Sequence, residues 1–532
     1  MNTMNTMNTM NTMNTGEGYT DQWDQGSSGA KATSRGEWWQ SSIFYHIYTL
    51  GFCGAPKKND FSSPAVARLE AVAEAAGHIR SLGCTAVYLG PLFESTSHGY
   101  DTVDHYHVDR RLGNNDTLRR VVRQLHEQGL RVVLDGVFNH TGRDHFAFYD
   151  LRQRGAESPF REWFRDVDFS ADNRFGDGFT YRAWEGHEEL PELNLENPEV
   201  REHLFGAVAQ MIEDFGIDGL RLDVAYALPA DFLQELREFT AQQSGRTGPR
   251  AGRQHDFFLL GEVIHGEYRR FAAETGLHSV TNYETYKALW SAHNDGNYFE
   301  LAHSLQRNFG RIGSAAGRPV AIEESDGRGE GRANGRLALY NFADNHDVDR
   351  VASKLEDPRH LFPLYALLFT IPGIPSLYYG SEFAAEGRRD AHSDAALRPA
   401  WQAVLQRRDA AEGAEEKRSQ MATDLSTFIA ELAAVRRSSP ALQYGTYRPC
   451  YLDHHIIAYE RVSVDEHVVV AISSLGEATT ISVPLAGPHA AAENMFQPQS
   501  LLPLCEGALE LSLPAYGSMV VRLRKGSGKE RE

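Results

Sequence analysis

The sequence predicts an α/β fold: a closed (β/α)8 TIM-type barrel with a small inserted domain after the third strand and a C-terminal antiparallel β-sandwich. Three observations support this prediction. From Trp38 onwards, short runs of β-branched and aromatic residues alternate with amphipathic helical stretches. This alternation is interrupted once, over residues 141–196. After Pro440 it gives way to short alternating runs separated by turn residues, which is typical of antiparallel strands.

Eight predicted strands account for the barrel, the number of parallel βα units that closes one. The first two, at 43–48 and 85–89, are separated by a predicted helix at 66–82. The third, at 131–135, is apolar on both faces, as expected of a parallel strand covered by helices. The remaining strands are predicted at 219–222, 257–260, near 280, at 337–342 and at 374–379, and further helices at 118–128, 199–215 and 424–437.

Composition divides the rest of the chain. The first fifteen residues are five Met-Asn-Thr repeats with no apolar core and no basic residue, so they predict a disordered leader, not a secretory signal. Two low-complexity loops, at 323–336 and 384–396, are expected to be exposed. The predicted organisation is a leader at 1–37, a barrel at 38–440 with its inserted domain at 141–196, a β-sandwich at 441–524 and a tail at 525–532.

Bulk properties exclude several classes of partner. The formal net charge of −19 repels phosphate backbones, so nucleic acid is not an expected partner. The sequence has no stretch of about 18 apolar residues, so no membrane-spanning helix is predicted. Without a signal sequence, we expect a cytoplasmic protein. The four cysteines are far apart and have no zinc-binding spacing. The oligomeric state stays open.

Clusters of ionisable residues follow four of the predicted strands. In a barrel of this kind, active groups lie at the C-terminal ends of the strands. Ionisable residues found there are informative, because a buried core would not tolerate them. The four segments are Asp135-Gly-Val-Phe-Asn139-His140 after the third strand, Gly-Leu-Arg221-Leu-Asp223 on the fourth, Gly-Glu262-Val after the fifth and Asn-His346-Asp347 after the seventh.

Asp223 and Glu262 fit the chemistry of glycosidic bond cleavage with retention. One carboxylate attacks the anomeric carbon while a second carboxyl about 5 to 5.5 Å away protonates the leaving oxygen and later deprotonates water. Neighbouring strands are about 4.8 Å apart, so their ends can hold such a pair. Arg221 is expected to keep Asp223 ionised, and partial burial to raise the pKa of Glu262. Asp135 is interpreted as structural, orienting Arg221 or His140.

The four segments resemble regions characteristic of the α-amylase family, glycoside hydrolase family 13. Its patterns Asp-x-Val-x-Asn-His, Gly-x-Arg-x-Asp, a Glu on the fifth strand and Asn-His-Asp all occur here in family order. Residues 190–194, Leu-Pro-Glu-Leu-Asn, resemble a motif at the end of the family's inserted domain, and 98–101, His-Gly-Tyr-Asp, the loop after its second strand. The resemblance spans about 38–523. Within the family, the chain resembles intracellular maltodextrin-degrading α-amylases or cyclomaltodextrinase-like members.

The resemblance implies a role for each matching position. Asp223 matches the nucleophile, Glu262 the general acid/base, and Asp347 the third carboxylate, which binds sugar hydroxyls and helps to distort the ring. Five further residues match substrate-binding positions: Tyr100, which stacks on the sugar, Asp101, His140, Arg221 and His346.

The same resemblance bears on metal binding. In many α-amylases the segment after the nucleophile ends in Lys-His, and that His helps to hold calcium through its backbone. Here those positions are Tyr226 and Ala227. Asn139 is a possible calcium ligand, and Asp135 is either structural or a possible ligand. We therefore expect that no cofactor is required.

The predicted function is a retaining α-glucoside hydrolase that cleaves α-1,4 linkages in starch-derived oligosaccharides. A 4-α-glucanotransferase or a trehalose-forming isomerase would use the same covalent intermediate and resolve it differently. A noncatalytic glucan-binding protein is less favoured, because all three carboxylates are present. Each motif alone has a structural explanation, such as a helix cap for Asn-His-Asp. The four together, in order, favour catalysis. Substrate length and the choice between α-1,4 and α-1,6 linkages stay open.

Overall fold

Eight parallel strands form a barrel at the centre of the computed structural model, as the sequence predicts. The structure describes residues 37–244, 257–309, 337–391, 393–409, 414–485, 489–499, 501–505 and 507–525. Nearly all of the predicted leader at 1–37 and of the tail at 525–532, and the loop at 323–336, lie outside these residues.

The barrel strands hydrogen-bond to one another in parallel, each beside its neighbour in the chain. A parallel bridge between Thr281 and Tyr340 joins the sixth strand to the seventh and completes the ring. The strands are Phe44–Ile47, Ala86–Leu89, Arg131–Gly136, Gly219–Leu222, Phe258–Gly261, Ser279–Val280, Tyr340–Phe342 and Ile374–Tyr378. Every residue in them except Arg131 is buried, because helices cover the outside of the barrel.

Helices follow most strands and bury an apolar face against the barrel. Asn115–Glu127 begins at a capping box, in which the Asn114 side chain accepts from the Thr117 N–H and Thr117 Oγ1 accepts from the Asn114 N–H. The other main helices are Pro198–Gln210, continued by a π-helix at Met211–Phe215, and Ala230–Ser244, Tyr268–Thr275, Tyr283–Asn294, Tyr298–Phe309, Leu361–Thr370, Trp401–Arg408 and Ala414–Arg437.

The single helix predicted at 66–82 is wrong in its start and continuity. The structure has two short helices instead, Glu70–Glu74 and Ala76–Ser81. The N–H groups of Val66 and Leu69 donate to carbonyls of the loop at 110–112, so the chain before Glu70 pairs with that loop and not with a helical turn. Apolar spacing alone does not report this competition.

The inserted segment at 141–196 is largely irregular, as its lack of period predicted. It contains one α-helix, Phe146–Arg154, three short 3-10 turns and a few isolated β-bridges. Its small core is aromatic, with Phe148 packing edge-on against Phe164 and Tyr181. The Leu193 N–H donates to the Asn139 carbonyl at 2.9 Å, which fastens the end of the insertion to the end of the third strand.

Two antiparallel sheets follow the barrel, as predicted. The larger contains, in spatial order, Thr446–Leu452, Ile456–Val462, His467–Ser473, Ser518–Lys525, His489–Asn494 and Leu501–Leu502; the smaller contains Thr479–Pro484, Ala508–Leu513 and Leu504–Cys505. Their facing side chains, including Val469, Ile481 and Leu511, form a separate apolar core. Among the described helices, none combines the length and apolarity needed to cross a membrane.

Two fully buried arginines bind the carbonyl end of helix Leu361–Thr370: Arg436 from the last barrel helix, and Arg461 from the larger C-terminal sheet. Arg436 donates to the carbonyls of Phe369 (2.9 Å) and Gly373 (2.5 Å), and Arg461 donates to the carbonyl of Thr370. These acceptors lie at and just beyond the end of helix Leu361–Thr370, where carbonyls have no partner within the helix. The cations also complement the negative end of the helix dipole.

Replacing Arg436 with Met should lower the free energy of unfolding by about 2–3 kcal/mol, because buried carbonyls lose charged donors. Thermal and urea unfolding measure the loss. Arg437→Met is the matched control, since Arg437 is exposed, and should leave the melting temperature almost unchanged. Equal effects of the two substitutions would contradict this account of the helix end.

Candidate active site

Asp223 and Glu262 lie side by side at the C-terminal end of the barrel. Leu222 and Gly261 are register partners on the fourth and fifth strands, and the next residue on each strand is the carboxylate. The Glu262 N–H donates to the Leu222 carbonyl at 3.0 Å, which extends the pairing to this position. Both residues are only 6% exposed. Strand pairing therefore fixes the two carboxyls as neighbours.

The guanidinium of Arg221 lies between three carboxylates. Its Nη1 donates to Asp223 Oδ1 at 2.7 Å and to Asp135 Oδ1 at 3.0 Å, and its Nη2 lies 2.8 Å from Glu262 Oε1. Asp135 also accepts from the hydroxyls of Tyr88 (2.8 Å) and Tyr100 (3.1 Å). Asp135 thus contacts the residue that it was interpreted to orient.

Burial raises the pKa of both Asp223 and Glu262. For Asp223, the Glu262 and Asp135 carboxylates raise the pKa further, and together with burial they outweigh the lowering by Arg221. The expected Arg221 contact exists, but it does not keep the pKa of Asp223 low. For Glu262, burial and the Asp347 charge likewise exceed the lowering by Arg221. Three carboxylates around one cation therefore favour retention of a shared proton.

Val224, directly after Asp223, has a left-handed backbone with φ of 40° and ψ of 45°. This conformation is rare for a β-branched residue and costs about 1–3 kcal/mol. It directs the Val224 N–H to Glu262 Oε2 at 2.9 Å. The strained residue thus supplies a fixed donor to one of the two paired carboxyls.

Asp347 lies across the barrel end, on the loop after the seventh strand, with its side chain a third exposed. Its carboxylate lies 3.2 Å from Arg398 Nη2 and 3.1 Å from His346 Nε2. Arg398 also pairs with Asp394 at 3.2 Å, and its guanidinium lies 4.5 Å above the Tyr48 ring. Asp347 is therefore held by a cation while one side of its carboxylate remains open to the cleft.

The aromatic and imidazole groups around the carboxylates are uncharged. Burial lowers the pKa of His140 to about 3 and holds that of His346 well below its usual value. His140 Nε2 lies 3.9 Å from Asp223 Oδ2. The Tyr100 ring stacks on His346 with centroids 5.5 Å apart, and its hydroxyl contacts the His346 ring nitrogen. Neutral imidazoles can each donate and accept a hydrogen bond.

A cleft of about 1290 Å³ opens over these groups. Five of the predicted site residues line it: Tyr100, His140, Asp223, Glu262 and Asp347. Its walls come from segments distant in sequence, namely the loop at 54–58, the end of the insertion at 184–190 and the loop at 389–398. Arg221 and His346 border a smaller cavity next to it.

Two predicted residues are placed elsewhere. Asp101 was expected to bind substrate, but its carboxylate accepts from Ser97 Oγ at 2.6 Å and the Gly99 N–H at 3.2 Å, and it does not line the cleft. The Asp101 carboxylate is thus hydrogen-bonded within its own loop, and these bonds help to position Tyr100, which the same loop carries. Asn139, the possible calcium ligand, is buried with its amide 3.3 Å from His140 Nδ1.

Several cleft residues were not found from the sequence. The loop at 384–396, expected only to be exposed, forms a wall of the cleft and leads to Arg398. The Tyr226 hydroxyl donates to Glu185 Oε1 at 3.2 Å, and the Tyr283 hydroxyl lies 3.4 Å from Glu262 Oε1. Trp184 packs 5.6 Å from His140. One sequence signal was available for these residues: Asp394 and Arg398 carry opposite charges and are four residues apart, a spacing at which they can pair.

Comparison with known proteins agrees with this geometry. The family model described as "Alpha amylase, catalytic domain" matches residues 47–431. A cyclomaltodextrinase of Bacillus sp. is 28% identical over 470 residues, 85% of this chain and 76% of that protein. The intracellular maltogenic amylase of Bacillus subtilis is 26% identical over 374 residues, 66% and 57% of the two chains. A solved cyclomaltodextrinase structure superposes with a TM-score of 0.73 at 25% identity, covering 91% of this chain and 78% of the other.

The chain belongs to the α-amylase family, as the four strand-end segments predicted. It is a glycoside hydrolase of that family, with the barrel and C-terminal antiparallel sheets of its structural relatives.

Replacing Asp223 with Asn should raise the melting temperature by about 1–3 °C at pH 8. Because the pKa of Asp223 is raised on folding, its ionisation opposes folding increasingly as the pH rises above about 3.9, its unfolded value. The gain should therefore shrink towards pH 5. Calorimetry at both pH values measures it. Asp347→Asn is the control. Asp347 is partly exposed, and the substitution removes its ion pair with Arg398, so the melting temperature should not rise. A gain independent of pH would refute the stated cause.

Proposed function

We propose that the protein is a retaining α-glucoside hydrolase that cleaves α-1,4 linkages in starch-derived oligosaccharides. The observation that carries the proposal is the single guanidinium shared by Asp223 and Glu262, with contacts of 2.7 and 2.8 Å. Retaining sites hold their carboxyls about 5–5.5 Å apart, whereas inverting sites need about 6.5–9.5 Å to admit water. Two carboxyls bound to one guanidinium, on paired strands, favour the shorter separation.

In the proposed reaction, Asp223 attacks the anomeric carbon through Oδ2, since Oδ1 accepts from Arg221. Glu262, to which we assign the proton that the carboxylate cluster retains, donates it to the glycosidic oxygen as the bond to the leaving sugar breaks. A glycosyl ester on Asp223 results. Glu262, now ionised, accepts from the Val224 N–H and interacts with Arg221, then takes a proton from water as that water breaks the ester.

The remaining cleft residues are proposed to hold the sugar whose bond is cleaved. Tyr100 offers an aromatic face, while His140 and Asp347 offer hydrogen-bonding groups for sugar hydroxyls. His346 is proposed to act through Tyr100 and Asp347, both of which it contacts. Asp101 is proposed to position the Tyr100 loop.

Maltooligosaccharides are the substrate class we propose, in a cytoplasmic setting. The first relative is named for action on cyclic maltodextrins, and the second is named an intracellular maltogenic amylase. The charge of −19 supports the absence of a nucleic-acid partner. We further propose that catalysis needs no calcium. Tyr226 occupies the position of the Lys in the Lys-His pair of calcium-dependent members, and it bonds across the cleft to Glu185.

Replacing Glu262 with Gln should lower kcat on maltotriose by about 10³-fold or more, because the amide cannot protonate the leaving oxygen. Maltooligosaccharide binding, measured by calorimetry, should remain. Glu185→Gln is the matched control: the same chemical change on the cleft wall should leave kcat within about tenfold. Full activity in Glu262→Gln would overturn the acid/base assignment.

Chromatography of the products formed from maltoheptaose separates the hydrolase from the alternatives. A hydrolase is expected to give only shorter oligosaccharides, with the α-anomer appearing first because configuration is retained. Products longer than maltoheptaose would favour a glucanotransferase, and trehalose formed from maltose would favour an isomerase. Binding without any product would indicate a glucan-binding protein.

A further inference from the structure

Three histidines meet outside the cleft, beside the third barrel strand. His105 lies in strand Thr102–Val108, His145 directly before helix Phe146–Arg154, and His203 in helix Pro198–Gln210. A ring nitrogen from each lies within 4.8 Å of one from each of the others. In the part of the chain that the structure describes, this is the one such grouping of His, Cys, Asp or Glu.

The three rings converge without stacking. Their centroids are 5.5, 5.5 and 5.8 Å apart, and the rings are inclined to one another by 66°, 79° and 89°. Aromatic side chains enclose them, with Phe146 4.5 Å from the His145 ring and Trp163 5.4 Å from the His203 ring. Apolar packing would not require three imidazoles at this one point.

The ring nitrogens of this cluster have few hydrogen-bond partners. Both nitrogens of His145, Nδ1 of His105 and Nε2 of His203 are buried with no partner among the described residues. Buried polar groups are normally hydrogen-bonded, and each unpaired one costs about 1–3 kcal/mol. One shared partner at the centre would satisfy three of them together.

His105 has the arrangement that metal-binding histidines commonly show. Its Nε2 lies 3.1 Å from the Val137 carbonyl, so a proton there donates outward and Nδ1 presents its lone pair to the cluster. Burial lowers the pKa of His105 to about 4 and also lowers those of His145 and His203. Asp104, on the same strand as His105, pairs at 2.7 Å with His107, outside the cluster.

We propose that His105, His145 and His203 bind one divalent transition-metal ion of the zinc class, with water as the fourth ligand. Three neutral imidazole nitrogens suit Zn²⁺, Ni²⁺ or Cu²⁺ and do not suit Ca²⁺, which takes oxygen ligands. Zinc–nitrogen bonds are about 2.0–2.1 Å long, so the nitrogens close on the ion by small side-chain rotations.

The site joins both ends of the insertion to the barrel. His145 follows its start at 141, His203 follows its end at 196, and His105 lies on the strand that follows the Tyr100 loop. The insertion carries Trp184 to the cleft wall. A bound ion would therefore stabilise the wall and the fold, and would take no part in the chemical step at Asp223.

The test uses the full chain without a histidine tag, freed of metal with a chelator and dialysed. Titration with ZnCl2 should show one equivalent bound by calorimetry and a rise in melting temperature of a few °C. CaCl2 should cause no shift. Binding of Co²⁺ should produce visible absorption bands that Zn²⁺ then displaces.

His203→Gln is the diagnostic variant, because His203 is half-buried on a helix and its loss should leave the metal-free protein folded with its usual melting temperature. It should lose the zinc shift and the Co²⁺ bands. His107→Gln, on the same strand as His105 but exposed, should keep both. Absence of a zinc shift in the unchanged protein, or a shift that survives in His203→Gln, would overturn the site. Neither result depends on glycosidase activity.

Discussion

One guanidinium group, that of Arg221, is the constraint around which the barrel end is organised. It contacts Asp135, Asp223 and Glu262, all three of them buried side chains. Without a cation, three adjacent buried carboxyls could not ionise together, because both burial and their mutual repulsion oppose it. With a single cation the compensation is incomplete, so the cluster retains a proton. The proposed reaction needs a nucleophile and an acid at once, and this incomplete compensation allows both.

The barrel was predictable because its strands are short apolar runs with polar residues at one end. That pattern located Asp223 and Glu262 through strand pairing, and the family resemblance added Asp347. The start of the helix at Glu70 was less accessible, because hydrogen bonds to the distant loop at 110–112 determine it. Local propensity gives little information about such tertiary competition.

Most of the cleft residues that the sequence misplaced or missed lie in irregular segments. An aspartate that closes a turn and one that binds a sugar look alike in sequence, so the turn made by Asp101 could not be foreseen. Arg398 and Trp184 reach the cleft from segments with no period, and only the fold brings them there. The three histidines are far apart in the chain, and spacing rules for metal sites apply only to ligands that are close in sequence.

The floor of the cleft and its walls have different structural origins. The floor consists of strand ends whose positions are fixed by barrel hydrogen bonds, whereas the walls come from the insertion and the loop at 389–398. Loops tolerate insertions and deletions far better than paired strands do. Evolution can therefore reshape which sugar chains fit this protein without disturbing the groups that cleave them, so substrate preference and bond-breaking chemistry can change independently of each other.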